Sequence, residues 1–143
     1  LIDESIRIRR TVLAAIERHA RAAAPEECCG LLIAREGCID EAIAVQNQAA
    51  DPVRQYEVAP RDYLEAIRRF RGTDALVIGC YHSHPRSSPE PSPTDLAMAF
   101  CDFLYLIAGR SDSGSQPMVR AYRLRNGNFQ PVALVPEPEE PQT

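Results

Sequence analysis

The chain has 143 residues, 45 % of them apolar, the size of one domain with enough apolar side chain to build a core. Twenty acidic residues against sixteen arginines leave a net charge of -4, which argues against a broad nucleic-acid footprint. No apolar run approaches the roughly 20 residues that span a bilayer, no signal-peptide pattern opens the chain at Leu1, and with no lysine there is neither a Schiff-base amine nor a phosphate-binding P-loop.

In chain order, residues 5–9 (SIRIR) alternate polar and apolar and predict a short strand. The alanine-rich stretch 11–24 places Val12, Ile16, Ala20 and Ala23 at helical spacing, and Pro25 ends it. His19 on this helix reads as a surface or boundary histidine, because nothing near it in sequence completes a site. The apolar run 28–34 and the stretch 38–45, joined by a short turn, predict a hairpin, and 47–55 is a loop. Residues 60–72 carry the strongest helical signals. Pro60 suits the first position, Asp62 and Glu65 lie near the positive end, Arg68, Arg69 and Arg71 near the negative end, and Gly72 stops it. Tyr63, Ile67 and Phe70 form its expected buried stripe.

The run 75–82 is almost wholly apolar, as in a central strand covered on both faces. A short helix is expected at 93–101 and a second buried strand at 103–109. Two further strands, 118–124 and 129–135, flank Asn126-Gly127, a pair suited to a tight hairpin. The tail 136–143 is expected to be disordered, which leaves one domain over 1–135. The cysteines (28, 29, 38, 80 and 101) are odd in number and contain no C-x-x-C. They read as reduced, mostly buried small hydrophobes in a cytoplasmic protein. Helices and hairpins mixed around a sheet predict an α/β (α+β) sandwich.

The chemistry concentrates in residues 82–95, HSHPRSSPEPSPTD. In an extended strand, alternate side chains share a face, so His82 and His84 project together from the end of a buried strand. Two imidazoles on one face can reach a single ion, and Asp95 lies far enough on to loop back and add a carboxylate. The stretch also reads as a helix start: Ser92 suits the N-cap, Pro93 the first helical position and Asp95 the third position of a capping-box variant. The two readings are compatible, since a capped helix can aim Asp95 at a metal. Metallo-β-lactamase-like hydrolases have an aspartate where this chain has Arg86, and the H-x-E and P-C-x-x-C of zinc deaminases are missing. Cys80 shares the histidine face and is open to two readings, a further ligand or a buried core thiol.

The spacing H-x-H, ten residues, then Asp, with a serine three before the aspartate, resembles the JAMM (MPN+) metalloprotease motif. PEECCGLL (25–32) resembles the family's upstream glutamate segment and maps that glutamate onto Glu27. VQN (45–47) and YEVAPRDYLEAIRRF (56–70) are similar to its intervening strand and helix, so the likeness runs from about residue 6 to 133. The resemblance implies a mixed, largely antiparallel curved sheet flanked by helices, as in JAMM and cytidine-deaminase-like folds. It implies Zn2+ held by His82, His84 and Asp95, Glu27 as general acid/base, and Ser92 as hydroxyl donor to the oxyanion.

The chain looks like the small stand-alone prokaryotic members. That likeness implies a ubiquitin-like or sulfur-carrier protein ending in Gly-Gly as substrate, and no nucleic-acid or membrane partner. A narrow groove or sheet edge would hold such a tail, with Tyr56 and Asn47 as candidate lining residues and core packing as the other reading of Tyr56. The alternative function is a non-catalytic MPN-type scaffold, whose members usually lose part of the five-residue set.

Overall fold

A computed structural model describes residues 4–99, 103–112, 114 and 116–138. Its elements are β1 (Glu4–Arg9), α1 (Arg10–Ala23), β2 (Cys29–Arg35), β3 (Cys38–Val45), α2 (Pro60–Phe70), β4 (Ala75–Ser83), α3 (Pro93–Ala97), β5 (Leu104–Arg110), β6 (Pro117–Arg125) and β7 (Asn128–Glu137). The strands form a closed ring in the order β1-β3-β2-β4-β5-β6-β7. β1 runs parallel to both β3 and β7, β4 runs parallel to β5, and the other neighbours are antiparallel.

The sandwich expectation is therefore corrected to a closed, barrel-like mixed sheet. The reason lies in β1. Its parallel pairing with β7, Glu4 opposite Val132 through Arg9 opposite Glu137, joins the first strand to the last. The same pairing corrects the tail: Pro136 and Glu137 belong to β7, because β1 supplies their backbone partners. The rest of the expected tail beyond Pro138 lies outside the described residues.

The helices sit on opposite faces of this sheet. Val12, Ile16 and Ala20 of α1 join one core with Ile8, Leu32, Ile39, Tyr81, Leu106, Ala121 and Val132, so every strand contributes to the face that α1 covers. On the other face, Ala66 of α2 packs with Leu31, Cys80 and Tyr105. The near-continuous apolar runs of β2, β4 and β5 follow from this double cover, since both side-chain directions of a strand meet a helix. In α2 the fully buried positions are Ala66 and Phe70, while Tyr63 and Ile67 are half-buried. His19 lies at the boundary as expected, with Nδ1 2.8 Å from the Tyr81 hydroxyl.

α3 is shorter than expected and ends at Ala97; the region around Cys101 lies outside the described residues. The Asn126-Gly127 turn adopts positive φ at both residues (54° and 77°), the backbone that a two-residue hairpin requires. Cys28, Cys29, Cys38 and Cys80 are free and buried.

Candidate metal centre

β4 ends by presenting His82 and His84 on the α2 side of the sheet, while Ser83 between them points the other way. Ser83 takes the Cys28 N–H on its Oγ at 2.8 Å and gives its own N–H to the Cys28 carbonyl at 3.2 Å. That clamp ties the residue after Glu27 to the strand that carries the histidines.

Asp95 arrives from α3. The helix opens with a capping box: Ser92 Oγ accepts the Asp95 N–H at 3.0 Å, and Asp95 Oδ2 accepts the Ser92 N–H at 2.9 Å. The cap and ligand readings of this stretch therefore hold together. With the cap made, Asp95 Oδ1 lies 3.2 Å from His82 Nε2, Oδ2 lies 3.1 Å from His84 Nε2, and the two Nε2 atoms stand 3.1 Å apart.

These spacings fit a metal ion. Donor atoms around a tetrahedral zinc at 2.0–2.1 Å lie roughly 3.3 Å from one another. All three residues are buried. His84 Nδ1 lies 3.0 Å from the Ser88 carbonyl, which can only accept, so in the neutral ring the proton sits on Nδ1 and the Nε2 lone pair faces the cluster. His82 is stacked under Tyr56 with ring centroids 4.0 Å apart and planes 14° from parallel. Its Nδ1 has no partner among the described residues.

The electrostatics agree with a cation-binding cluster. Burial works to raise the Asp95 carboxyl, but hydrogen bonds from His82 and His84 outweigh it and hold the group well below the usual carboxylate range. Burial lowers His82 despite Asp95 beside it. Burial also opposes a charge on His84, yet its bonds to Asp95 and the Ser88 carbonyl raise it. Glu27 is only 8 % exposed. Burial pushes its carboxyl up to about 7, with His84 opposing the rise and the Asp95 charge adding to it.

The other candidates resolve differently. Cys80 lies outside the three-residue cluster. Burial pushes its thiol up to about 12, so it is the core thiol rather than a ready ligand. Asn47 is half-buried, and its side-chain amide is engaged with backbone at both ends. Its Nδ2 donates to the carbonyls of Glu27 and Gln55, and its Oδ1 accepts from Ala49 and Glu57. Tyr56 is a packing residue against His82, its hydroxyl 3.8 Å from Cys80 Sγ.

Sequence reasoning missed the support beneath Ser88. The Arg110 N–H bonds the Ser87 carbonyl at 2.7 Å, and the Tyr122 hydroxyl bonds the Pro89 carbonyl at 2.8 Å. Gly109 lets this loop settle on β5: a Cβ there would stand 2.5 Å from Pro89 N and 2.6 Å from the Ser88 carbonyl carbon. Because both contacts are backbone, Gly109→Ala should push Ser88 off His84. The expected result is about 1–3 kcal/mol lower stability and roughly 10–100-fold weaker metal binding. Thermal unfolding and titration against a chelator measure the two effects, and unchanged metal affinity would show that the loop gives way without disturbing His84.

Residues 9–125 match the family described as prokaryotic homologs of the JAB domain (Prok-JAB). The chain is 35 % identical over 96 residues to a desampylase of Haloferax volcanii, covering 62 % of this chain and 69 % of that protein. It is 30 % identical over 128 residues to a probable TtuB-protein conjugate cleaving protease of Thermus thermophilus (90 % of this chain, 80 % of that one). A CysO-cysteine peptidase of Mycobacterium tuberculosis is 29 % identical over 133 residues, 90 % of each chain. Tail tip assembly protein K of Escherichia phage N15 matches at 34 % over 95 residues, and there the chain spans only 36 % of the relative's length. Among solved structures, protein DSY2949 of Desulfitobacterium hafniense superposes with a TM-score of 0.82 at 25 % identity, covering 94 % of each chain. The JAB1/MPN domain protein AF2198 of Archaeoglobus fulgidus gives 0.59 at 26 % identity, covering 92 % of this chain and 98 % of that one. With a family match over 9–125 and the His82–His84–Asp95 cluster at its centre, the chain belongs to the JAB-domain family in its small prokaryotic JAMM/MPN form.

Proposed function

We propose that the chain is a zinc-dependent metallopeptidase that hydrolyses the peptide or isopeptide bond after the C-terminal Gly-Gly of a ubiquitin-like or sulfur-carrier protein. The observation that carries this reading is the convergence of His82, His84 and Asp95 within 4.8 Å of one another, with the buried Glu27 close enough to feel the charges of His84 and Asp95. The substrate class is carried over from three relatives, the desampylase, the probable TtuB-protein conjugate cleaving protease and the CysO-cysteine peptidase.

His82 and His84 would hold the ion through Nε2, and Asp95 through its carboxylate. Bound there, zinc supplies a Lewis acid and a water whose pKa falls to about 7. Glu27 has the chemistry of a proton shuttle: it is a buried carboxyl beside the cluster, raised to about 7 in the metal-free site, and can accept a proton and return it to the leaving amine. Ser92 Oγ spends a lone pair on the Asp95 N–H, so its own O–H proton is not committed to that bond and can be donated to the carbonyl oxygen as charge builds on it. The intact set of five residues speaks against a scaffold that only binds a partner. Four free, buried cysteines suit a reducing, cytoplasmic setting. Among the described residues, no helix is long and apolar enough to cross a membrane.

Purified protein should carry about one zinc ion per chain and release cysteine from CysO–cysteine, or cleave a TtuB–protein conjugate, with turnover lost to a chelator and restored by zinc. Protein that neither binds zinc on reconstitution nor cleaves either conjugate would sink the proposal.

A further inference from the structure

Asn47 stands outside the metal cluster, yet its side chain joins the backbone of Glu27 to the loop that carries Tyr56. Nδ2 donates to the Glu27 carbonyl and to the Gln55 carbonyl, both at 2.9 Å. Oδ1 accepts the N–H groups of Ala49 at 2.9 Å and Glu57 at 3.1 Å. Gln55 and Glu57 are the two neighbours of Tyr56, whose ring stacks on His82. The same loop reaches Glu27 a second time, through the Glu27 N–H bonded to the Pro52 carbonyl at 2.8 Å. Both backbone groups of Glu27 are thus held by the loop that Asn47 closes. On the other side, Ser83 clamps Cys28 to β4. A loop staple would need only the bonds inside 47–57; the bond to residue 27, twenty positions away, reaches the site.

We propose that Asn47 is a positioning residue: one amide sets the backbone from which Glu27 reaches the cluster and fixes Tyr56 over His82. The inference rests on the reading of Glu27 as the proton shuttle. The zinc ligands sit on β4, just past its end and on α3, so Asn47 should govern turnover rather than metal content. A misplacement on the order of 1 Å in a catalytic group can cost about 100-fold in rate.

The test is a double-mutant cycle in the zinc-loaded protein, with CysO–cysteine or a TtuB–protein conjugate as probe, whichever the wild type cleaves. Asn47→Ala should keep the zinc and change KM by less than about twofold while lowering kcat roughly 10–100-fold. In the Glu27→Gln background the same change should cost almost nothing, because the group it positions is already gone. Hydrogen exchange gives a readout apart from activity: the Glu27 amide should exchange at least about tenfold faster in Asn47→Ala, with the β5 and β6 amides unchanged. Asn47→Asp, which keeps Oδ1 but removes the donor to Glu27 and Gln55, should show the same pattern.

Equal fold-losses in both backgrounds, or an unchanged Glu27 amide, would overturn the proposal. So would failure of both variants to fold, which assigns Asn47 to the fold alone. A fully active Glu27→Gln protein is a different outcome, because it removes the reading of Glu27 on which the inference rests.

Discussion

Glu27→Gln should leave zinc bound and lower turnover by about 100- to 10,000-fold, the range for losing a general acid/base. The proposed ligands lie on β4, just past its end and on α3, whereas Glu27 precedes β2 and is held by its backbone. Removing its charge therefore leaves the three donors in place. The same substitution should have the opposite effect on stability. In metal-free protein the carboxyl is raised from its ordinary 4.5 to about 7. A folded-state value above the unfolded one means that the unfolded chain releases its proton first as pH rises. The stability this group contributes is complete below about pH 4.5 and is lost as pH climbs to about 7, a change of about 3 kcal/mol.

Glutamine does not titrate, so the variant should lack that slope. In the presence of a chelator it should gain on the wild type between pH 5 and pH 8, as read from denaturant melts. A variant that is less active and also less stable at pH 8 would point to a structural role for Glu27. A variant as active as wild type would remove it from the mechanism.

Ser92→Ala should cost roughly 3–4 kcal/mol in the barrier, a fall in kcat on the order of 100- to 1,000-fold, as expected for a single oxyanion donor. It should also lower stability by about 1 kcal/mol, because the hydroxyl is the N-cap of α3. The two roles use different parts of the group: the cap uses an oxygen lone pair toward the Asp95 N–H, and the transition state uses the proton. Ser92→Thr retains both and should recover much of the loss. Zinc content separates the explanations. Asp95 still receives the Ser92 backbone N–H in the alanine variant, so metal binding should survive. If zinc leaves together with turnover, Ser92 matters because it holds Asp95, and the oxyanion role is unsupported.

Much of this site was legible in the sequence because its parts are local. The two-residue period of a strand puts His82 and His84 on one face whatever surrounds them. Ser92, Pro93 and Asp95 make a capping box within four residues. Likewise the Pro60 start and arginine-rich end of α2 mark a helix without reference to a partner. The apolar runs of β2, β4 and β5 announce strands with both faces covered.

What remained hidden depends on residues far apart in the chain. Nothing in SIRIR says that β1 pairs with β7, so a ring read as a sandwich, and two residues of β7 read as tail. The bonds of Asn47 to the Glu27 and Gln55 carbonyls were hidden too, because a sequence does not show which carbonyls a side-chain amide meets. Gly109 packs against the Ser88–Pro89 peptide and Tyr122 bonds the Pro89 carbonyl, next to the Ser88 carbonyl that faces His84 Nδ1, yet they lie on strands 25 and 38 residues beyond His84. The sequence alone determined which side chains share a face and the local turns that aim them, because strand alternation and helix capping act over a few residues. Only the tertiary structure decided ring closure, the burial that raises Glu27 and the bonds that hold it, because those arise where segments distant in the chain exclude water from one another.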